Sequence, residues 1–149
     1  MTIDEQTLQQ VVSDVCSGML GLELEPSEQS GCDESDALSA VIRISGDWDS
    51  LVQVLTSRKT AVAIASNMFA MSEEELSEAE IRDAVGEIVN MVGGNLKGIV
   101  EGDSALSLPC VGECVGAAPF DSTFNGLVVS NRCQGDPLTV RVLDRTVYT

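Results

Sequence analysis

The chain has 149 residues, a length typical of one domain, so we expect residues 1–149 to form a single domain. Its 24 acidic and 8 basic residues give a formal charge of −16, which disfavours nucleic acid and anionic membrane surfaces as partners. Histidine is absent, which excludes the usual general base near neutral pH, histidine-dependent catalytic triads and the commonest metal ligand.

The five cysteines are odd in number and irregularly spaced, which argues against a disulfide framework. No apolar stretch approaches the ~18 residues of a membrane-spanning helix, and residues 1–20 lack the basic and apolar regions of a signal peptide. We therefore expect a cytoplasmic protein with reduced thiols. A zinc site at Cys110, Cys114 and Cys133 is an alternative. Buried thiols are the favoured interpretation, because histidine and a second close cysteine pair are missing.

The first part of the chain predicts a helix followed by three strands. Apolar residues at helical spacing, followed by glycines, indicate the helix, and LGLELEP alternates apolar and acidic residues as a half-buried strand does. Two further strand-like runs flank GDWD, which is typical of a hairpin. The expected elements are a helix at 4–19, a strand ending at Pro26, an acidic loop at 27–36, and hairpin strands at 38–45 and 50–57.

The second part predicts two helices and then strands. A small-residue face indicates a helix at 58–70, and MSEEELSEAE connects it to a longer helix at 77–101. Ser77 and Glu80 fit a capping box at the start of the longer helix. SALSLP and CVGECVG are short strand candidates, and the runs at 126–133 and 137–147 flank QGD as a second hairpin.

The order of these elements indicates a duplicated αβββ unit. Each half reads as helix and then three strands, although residue identity between the halves is low. The expected fold class is α+β, with long helices packed on an antiparallel sheet.

The helix at 77–101 separates a polar row from an apolar face. At about 100° per residue, Asp83, Glu87, Asn90, Gly94 and Lys97 fall on one side, which should face solvent. An acid or amide on the wet face of a helix is ordinary, so a solvated face without function is one interpretation. The opposite side should be buried, and its members are Ile81, Val85, Ile88, Val92, Leu96 and Ile99.

Four glycines within this helix weaken the interpretation that it is only structural. Each glycine costs about 1 kcal/mol relative to alanine in a helix interior. Gly94 lies in the polar row, where its missing side chain leaves room beside Glu87 and Asn90 for another molecule. Close packing of Gly93 and Gly98 on the sheet or on a neighbouring helix is the competing explanation, and both uses are compatible.

The stretch DAVGEIVNMVGGN resembles the signature helix of the CheC/CheX/FliY chemotaxis phosphatases, and of the CheX-like branch in particular. The family pattern is an acid or serine, three residues, glutamate, two residues and asparagine, which falls here on Asp83, Glu87 and Asn90. The order of elements over essentially the whole chain is also similar. The resemblance therefore implies a CheC-like fold with a six-stranded antiparallel sheet.

Two features depart from the family pattern. The family commonly has a proline some way beyond the asparagine, and the candidate here, Pro109, comes a few residues early. CheC-like members carry a second active helix, but the helix at 4–19 contains no Glu-x-x-Asn. One site per chain, as in the CheX-like branch, is what the resemblance implies.

The resemblance also implies the reaction, which is hydrolysis of the aspartyl phosphate on a phosphorylated CheY-like response regulator. Asn90 would orient the attacking water, and Glu87 would pair with the active-site lysine of the regulator. Asp83 and Gly94 are expected at the docking surface. The regulator would supply Mg²⁺, so no cofactor or metal is expected on this chain, and a homodimer is implied. The alternative is a noncatalytic docking module for a response regulator or a flagellar-switch component.

Overall fold

An antiparallel sheet covered by helices is the architecture of the chain, in a computed structural model that describes residues 3–27, 37–100, 102–113, 126–133 and 135–144. The described residues form three α-helices and seven strands. The helices are α1 (Glu5–Ser13, continued by a π-helical turn at Asp14–Met19), α2 (Arg58–Phe69) and α3 (Glu78–Ile99). The strands are β1 (Leu24–Pro26), β2 (Ala37–Gly46), β3 (Ser50–Ser57), β4 (Ser104–Leu106), β5 (Cys110–Glu113), β6 (Leu127–Cys133) and β7 (Asp136–Asp144).

The sheet has the order β1-β6-β7-β3-β2-β4, and every neighbouring pair is antiparallel. This order is symmetric about its centre: counted inwards from the two edges, β1 corresponds to β4, β6 to β2 and β7 to β3. The first strand of each half lies at an edge of the sheet and pairs with a strand of the other half: β1 pairs with β6, and β4 pairs with β2. The predicted duplicated αβββ unit is confirmed by this arrangement.

Six strand positions cross the sheet, as predicted, but two short strands share one edge position. Both β4 and β5 pair with β2, and Ser107 stands at the break between them. The Ser107 N–H donates to the Arg43 carbonyl at 2.9 Å, and the Arg43 N–H donates to Ser107 Oγ at 2.9 Å. A serine side chain thus takes the place of one backbone acceptor. Pro109, which has no N–H, follows before pairing resumes at Cys110.

The helices lie where the sequence indicates, with shifts at their ends. Asp4 caps α1 by accepting a hydrogen bond from the Thr7 N–H at 2.7 Å, and the predicted helix to residue 19 changes to π-helical geometry after Ser13. The strand predicted in LGLELEP is reduced to β1. Most of the predicted acidic loop at 27–36, and the ends of the strands predicted at 110–116 and 137–147, lie outside the described residues.

The main core lies between the helices and one face of the sheet. Strand residues such as Ile42, Val54 and Val140 are buried there together with Ile64 of α2 and Val89 of α3. Among the helices described, none is long and apolar enough to cross a membrane. The core fixes α3 against β2 and β3, and this packing determines which side of α3 faces outwards.

Candidate functional site

Helix α3 begins at a capping box, as predicted. The Ser77 Oγ accepts a hydrogen bond from the Glu80 N–H at 3.2 Å, and the Glu80 carboxylate accepts one from the Ser77 N–H at 2.9 Å. Glu78, in the first turn, forms ion pairs with Arg58 of α2 and with Arg82. These contacts set the start and the rotation of the helix that carries the predicted site.

The apolar face of α3 is buried over about four turns, from Ile81 to Leu96. The residues of this face pack on β2, β3 and α2. Ile99 is the exception: periodicity places it on the same face, but it is 51% exposed. The prediction for Ile99 is wrong because the helix ends there and the last buried position is one turn earlier. The buried members of the predicted set are Ile81, Val85, Ile88, Val92 and Leu96.

The polar row of α3 faces outwards. Asp83 and Glu87 are exposed, and Asn90 and Gly94 are half-buried. Within the part of the chain that the structure describes, the side chains of Asp83, Glu87 and Asn90 have no hydrogen-bond or ion-pair partner. The structure therefore brings the predicted site residues together on one surface and leaves their polar atoms available to another molecule.

The four glycines of α3 differ in what surrounds them. A Cβ at Gly86 would lie 3.1 Å from the Val111 side chain, and one at Gly93 would lie 3.1 Å from the Ile42 side chain. These two glycines allow close packing on the sheet. A Cβ at Gly94 would make only an ordinary contact, 3.9 Å from the Leu106 side chain, and one at Gly98 would meet no atom of the described residues within 4 Å. The close-packing explanation is therefore confirmed for Gly93, whereas no residue in the part of the chain that the structure describes packs closely at Gly98.

One wall of the site comes from residues 104–113, which we call the edge segment. Its Leu106 side chain lies 3.5 Å from the Cβ position of Gly93, and its Pro109 ring lies 3.6 Å from that of Gly86. Sequence reasoning treated Pro109 only as a departure from a pattern and did not place this segment beside α3. The four glycines were the available signal, since two of them mark its closest approach.

The described site residues contain neither a nucleophile with an activating base nor a metal cluster. Burial raises the pKa of Cys16 to about 12 and also raises the pKa of Cys133, so both thiols are protonated and unreactive at neutral pH. No group of three or more acidic or cysteine side chains among the described residues could hold a metal ion. Cys110 is exposed, and Cys114 of the predicted alternative zinc set lies outside the described residues. An acid and an amide on a helix can bind a cation and orient water.

In the related helix α1, the side chains of Gln9 and Gln10 are bonded to other residues of the chain. Gln9 and Asn131 form two reciprocal amide hydrogen bonds of 2.9 and 3.2 Å, and Gln10 donates to Asp14 at 2.9 Å. A cavity of about 500 Å³ lies beside α1, lined by Gln9, Ser13 and their neighbours on β1 and β6. None of the residues that line this cavity belongs to the polar row of α3. The contrast between the two helices favours α3 as the functional one.

Sequence comparison identifies the family. The family model described as Chemotaxis phosphatase CheX matches residues 38–115, a little over half of the chain, and this range contains all of α3 and the edge segment. This chain belongs to the CheX family. The predicted family and its phosphatase activity are thereby confirmed. No curated protein matches the chain in sequence.

Solved structures confirm the fold. The chemotaxis protein CheX of Vibrio vulnificus is similar with a TM-score of 0.74 and 23% identity, over 91% of this chain and 92% of that one. CheX of Borrelia burgdorferi, in a complex with CheY, BeF₃ and Mg²⁺, has a TM-score of 0.73 and 17% identity, over 95% and 98%. A CheC-like chemotactic protein of Shewanella oneidensis has a TM-score of 0.68 and 24% identity, over 91% and 94%. The CheX family fold thus accounts for nearly the whole chain.

Proposed function

We propose that Glu87 and Asn90 are the residues with which this chemotaxis phosphatase hydrolyses the aspartyl phosphate of a CheY-like response regulator. The observation that carries the proposal is the geometry of α3. An acid and an amide lie three residues apart on an outward face, and their side chains have no partner among the described residues. A projecting helix face can enter the active site of another protein, which suits a substrate that is itself a folded protein.

Asn90 is suited to orienting the attacking water. Its carboxamide oxygen accepts a hydrogen bond from water while its NH₂ group donates to a neighbouring acceptor. Phosphoryl transfer to water depends mainly on alignment and on compensation of the developing charge, so no nucleophile is needed on this chain.

Glu87 is suited to fixing the register of docking. Its exposed carboxylate pairs with a cation on the regulator, which we propose to be the active-site lysine, and Asp83 and Gly94 lie at the same contact surface. The regulator brings the Mg²⁺ that the transferred phosphoryl group requires. The complex of Borrelia burgdorferi CheX with CheY and Mg²⁺ supports this choice of partner and metal source.

The test is the rate at which a phosphorylated CheY-like regulator from the same organism loses its phosphate, with and without the protein. We expect Asn90→Ala to lower the acceleration by about 100-fold, since loss of a positioning group has effects of this order. Asn95→Ala is the matched control, because Asn95 is an exposed amide on the same helix. It should retain full activity, and both variants should keep the circular dichroism spectrum of the wild type.

Full activity of Asn90→Ala would contradict the assignment of that residue. Binding of a regulator without any acceleration by the wild type would support the alternative function, a noncatalytic docking module.

We also propose that the protein is cytoplasmic, where response regulators act, and that it forms a homodimer like the family it belongs to. Light scattering after size-exclusion chromatography should then give a mass about twice the 15.7 kDa of the chain. A mass equal to that of one chain at all concentrations would contradict the dimer.

A further inference from the structure

The edge segment carries the most exposed large apolar side chain of the described residues. Leu108 is 88% exposed, compared with 51% for Ile99 and 39% for Phe69. A single exposed leucine is common on protein surfaces and by itself indicates nothing. The surroundings of Leu108 set it apart.

Contacts with α3 place Leu108 beside the polar row. Leu106 packs at Gly93 and Gly94, and Pro109 packs at Gly86, so the edge segment runs along α3 in the opposite direction to the helix. Asn90 lies midway between these contacts. Leu108 stands between Leu106 and Pro109 and therefore flanks the turn of α3 that carries Asn90.

The backbone at Leu108 is held in place by hydrogen bonds of the preceding residue. Ser107 is bonded to Arg43 of β2 through both its N–H and its hydroxyl oxygen, each at 2.9 Å. The Ser107 hydroxyl also donates to the Leu108 carbonyl at 3.1 Å. An exposed apolar side chain on an anchored backbone loses little conformational entropy on binding a partner.

The edge segment is also uncharged where it adjoins α3. Residues 104–112 contain no acidic or basic side chain, although the chain as a whole has a formal charge of −16. A phosphorylated protein is anionic at its reacting group and is repelled by most of this surface. An uncharged apolar strip beside the polar row permits contact without that repulsion.

We propose that Leu108 is a binding contact for the phosphorylated response regulator and packs on apolar surface of the regulator next to its phosphorylated aspartate. This inference rests on the proposed function, because it assigns the same partner to the surface that continues from Asn90. Leu108 contributes to affinity and to the choice of regulator, whereas Asn90 contributes to the hydrolytic step.

The test compares Leu108→Ser with Ile99→Ser, using a CheY-like regulator from the same organism. Ile99 is also an exposed apolar residue, but it is about 180° around α3 from Asn90 and ~13.5 Å further along the helix axis. We expect Leu108→Ser to raise the KM for the phosphorylated regulator about tenfold, as loss of a buried leucine contact does, with kcat unchanged. The Kd for the regulator bound to beryllium fluoride should rise equally, and Leu108→Met should restore both values.

Ile99→Ser should leave KM and Kd within about twofold of the wild type. A KM and Kd of Leu108→Ser within twofold of the wild type would overturn the inference, and so would a fall in kcat with KM unchanged. Thermal unfolding checks that the variants are folded, which the exposure of both residues favours. Asn90→Ala, measured in parallel, tests the proposed function separately. If Asn90→Ala loses turnover while Leu108→Ser keeps the wild-type KM and Kd, the proposed function is supported and only the Leu108 contact is refuted.

Discussion

Glu87 and Asn90, like Asp83, differ from the acids of the first turn of α3 in having no side-chain partner within the described chain. Glu78 pairs with two arginines, and Glu80 closes the capping box with Ser77. The acids of the first turn, Glu78 and Glu80, therefore make contacts that stabilise the helix, whereas Asp83 and Glu87 are exposed to solvent. An unpartnered carboxylate keeps its full charge available for a cation on another molecule, which is the role proposed for Glu87.

The pairing of Glu87 with a regulator cation predicts a loss of affinity when the charge is removed. Glu87→Gln and Glu87→Ala should both raise the Kd for a beryllium fluoride-activated regulator about tenfold, because a charge-assisted bond between proteins is lost while the helix is unchanged. Isothermal titration calorimetry measures this effect. Glu74→Ala removes another exposed acid, outside α3, and should not weaken binding. Wild-type affinity in Glu87→Gln would exclude the ion pair.

At the scale of the element, α3 is a helix whose glycines serve two surfaces. Gly86 and Gly93 let the sheet and the edge segment come within van der Waals distance of the helix backbone. Among the described residues, Gly94 and Gly98 have room for a side chain, so packing against those residues does not require a glycine at either position. Gly94 adjoins the turn of Asn90, and a docked partner is the simplest reason for a glycine there.

The space at Gly94 and Gly98 predicts the same change in stability but different binding for two alanine substitutions. Gly94→Ala and Gly98→Ala should each raise the free energy of unfolding by about 0.5–1 kcal/mol, because alanine is the better helix former and both sites have space. Urea denaturation measures this gain. Gly94→Ala should also lower regulator affinity at least about threefold, whereas Gly98→Ala, two turns beyond Asn90, should bind normally. Normal binding by Gly94→Ala would show that its missing side chain does not serve docking.

At the scale of the whole molecule, the two halves share a strand arrangement but differ in the side chains of their helices. The symmetric strand order places α1 and α3 in related positions, yet only α3 carries Glu-x-x-Asn, and Gln9 and Gln10 of α1 bond to this chain. The two helices therefore occupy related positions, and it is their side chains that differ. That the whole of 1–149 forms one domain stays a prediction.

The charge of the whole molecule predicts stabilisation by salt. With a formal charge of −16, self-repulsion opposes the compact state, and screening relieves it. Raising ionic strength from about 0.01 M to about 0.15 M shortens the Debye length from ~30 to ~8 Å. We expect Tm to rise by at least about 2 °C, equivalent to roughly 0.5–1 kcal/mol for a domain of this size. Differential scanning calorimetry in NaCl and KCl should give equal shifts, and a Tm that falls with salt would contradict the expectation.

Much of the fold was predictable because local patterns carry it. The period of apolar residues placed all three helices, alternation placed the hairpin strands, and the Ser77 capping box fixed the start of α3. Prediction failed where an apolar pattern continued beyond the residues that the core covers. Ile99 has the helical spacing of a buried residue, but it is exposed because it lies beyond the end of the core. The strand predicted in LGLELEP is shortened to β1 for the related reason that pairing with β6 covers only Leu24–Pro26.

The sequence by itself determined the α+β class, the family resemblance, and the polar row of α3, because each depends on residue identity and helical spacing. Only the tertiary structure decided what surrounds that row. The approach of Leu106 and Pro109 to α3, and the exposure of Leu108 between them, depend on β4 and β5 pairing with β2, whose paired residues lie 58 to 75 positions earlier in the chain. Contacts between segments so distant in sequence leave no local pattern, because strand pairing is set by the packing of the whole sheet.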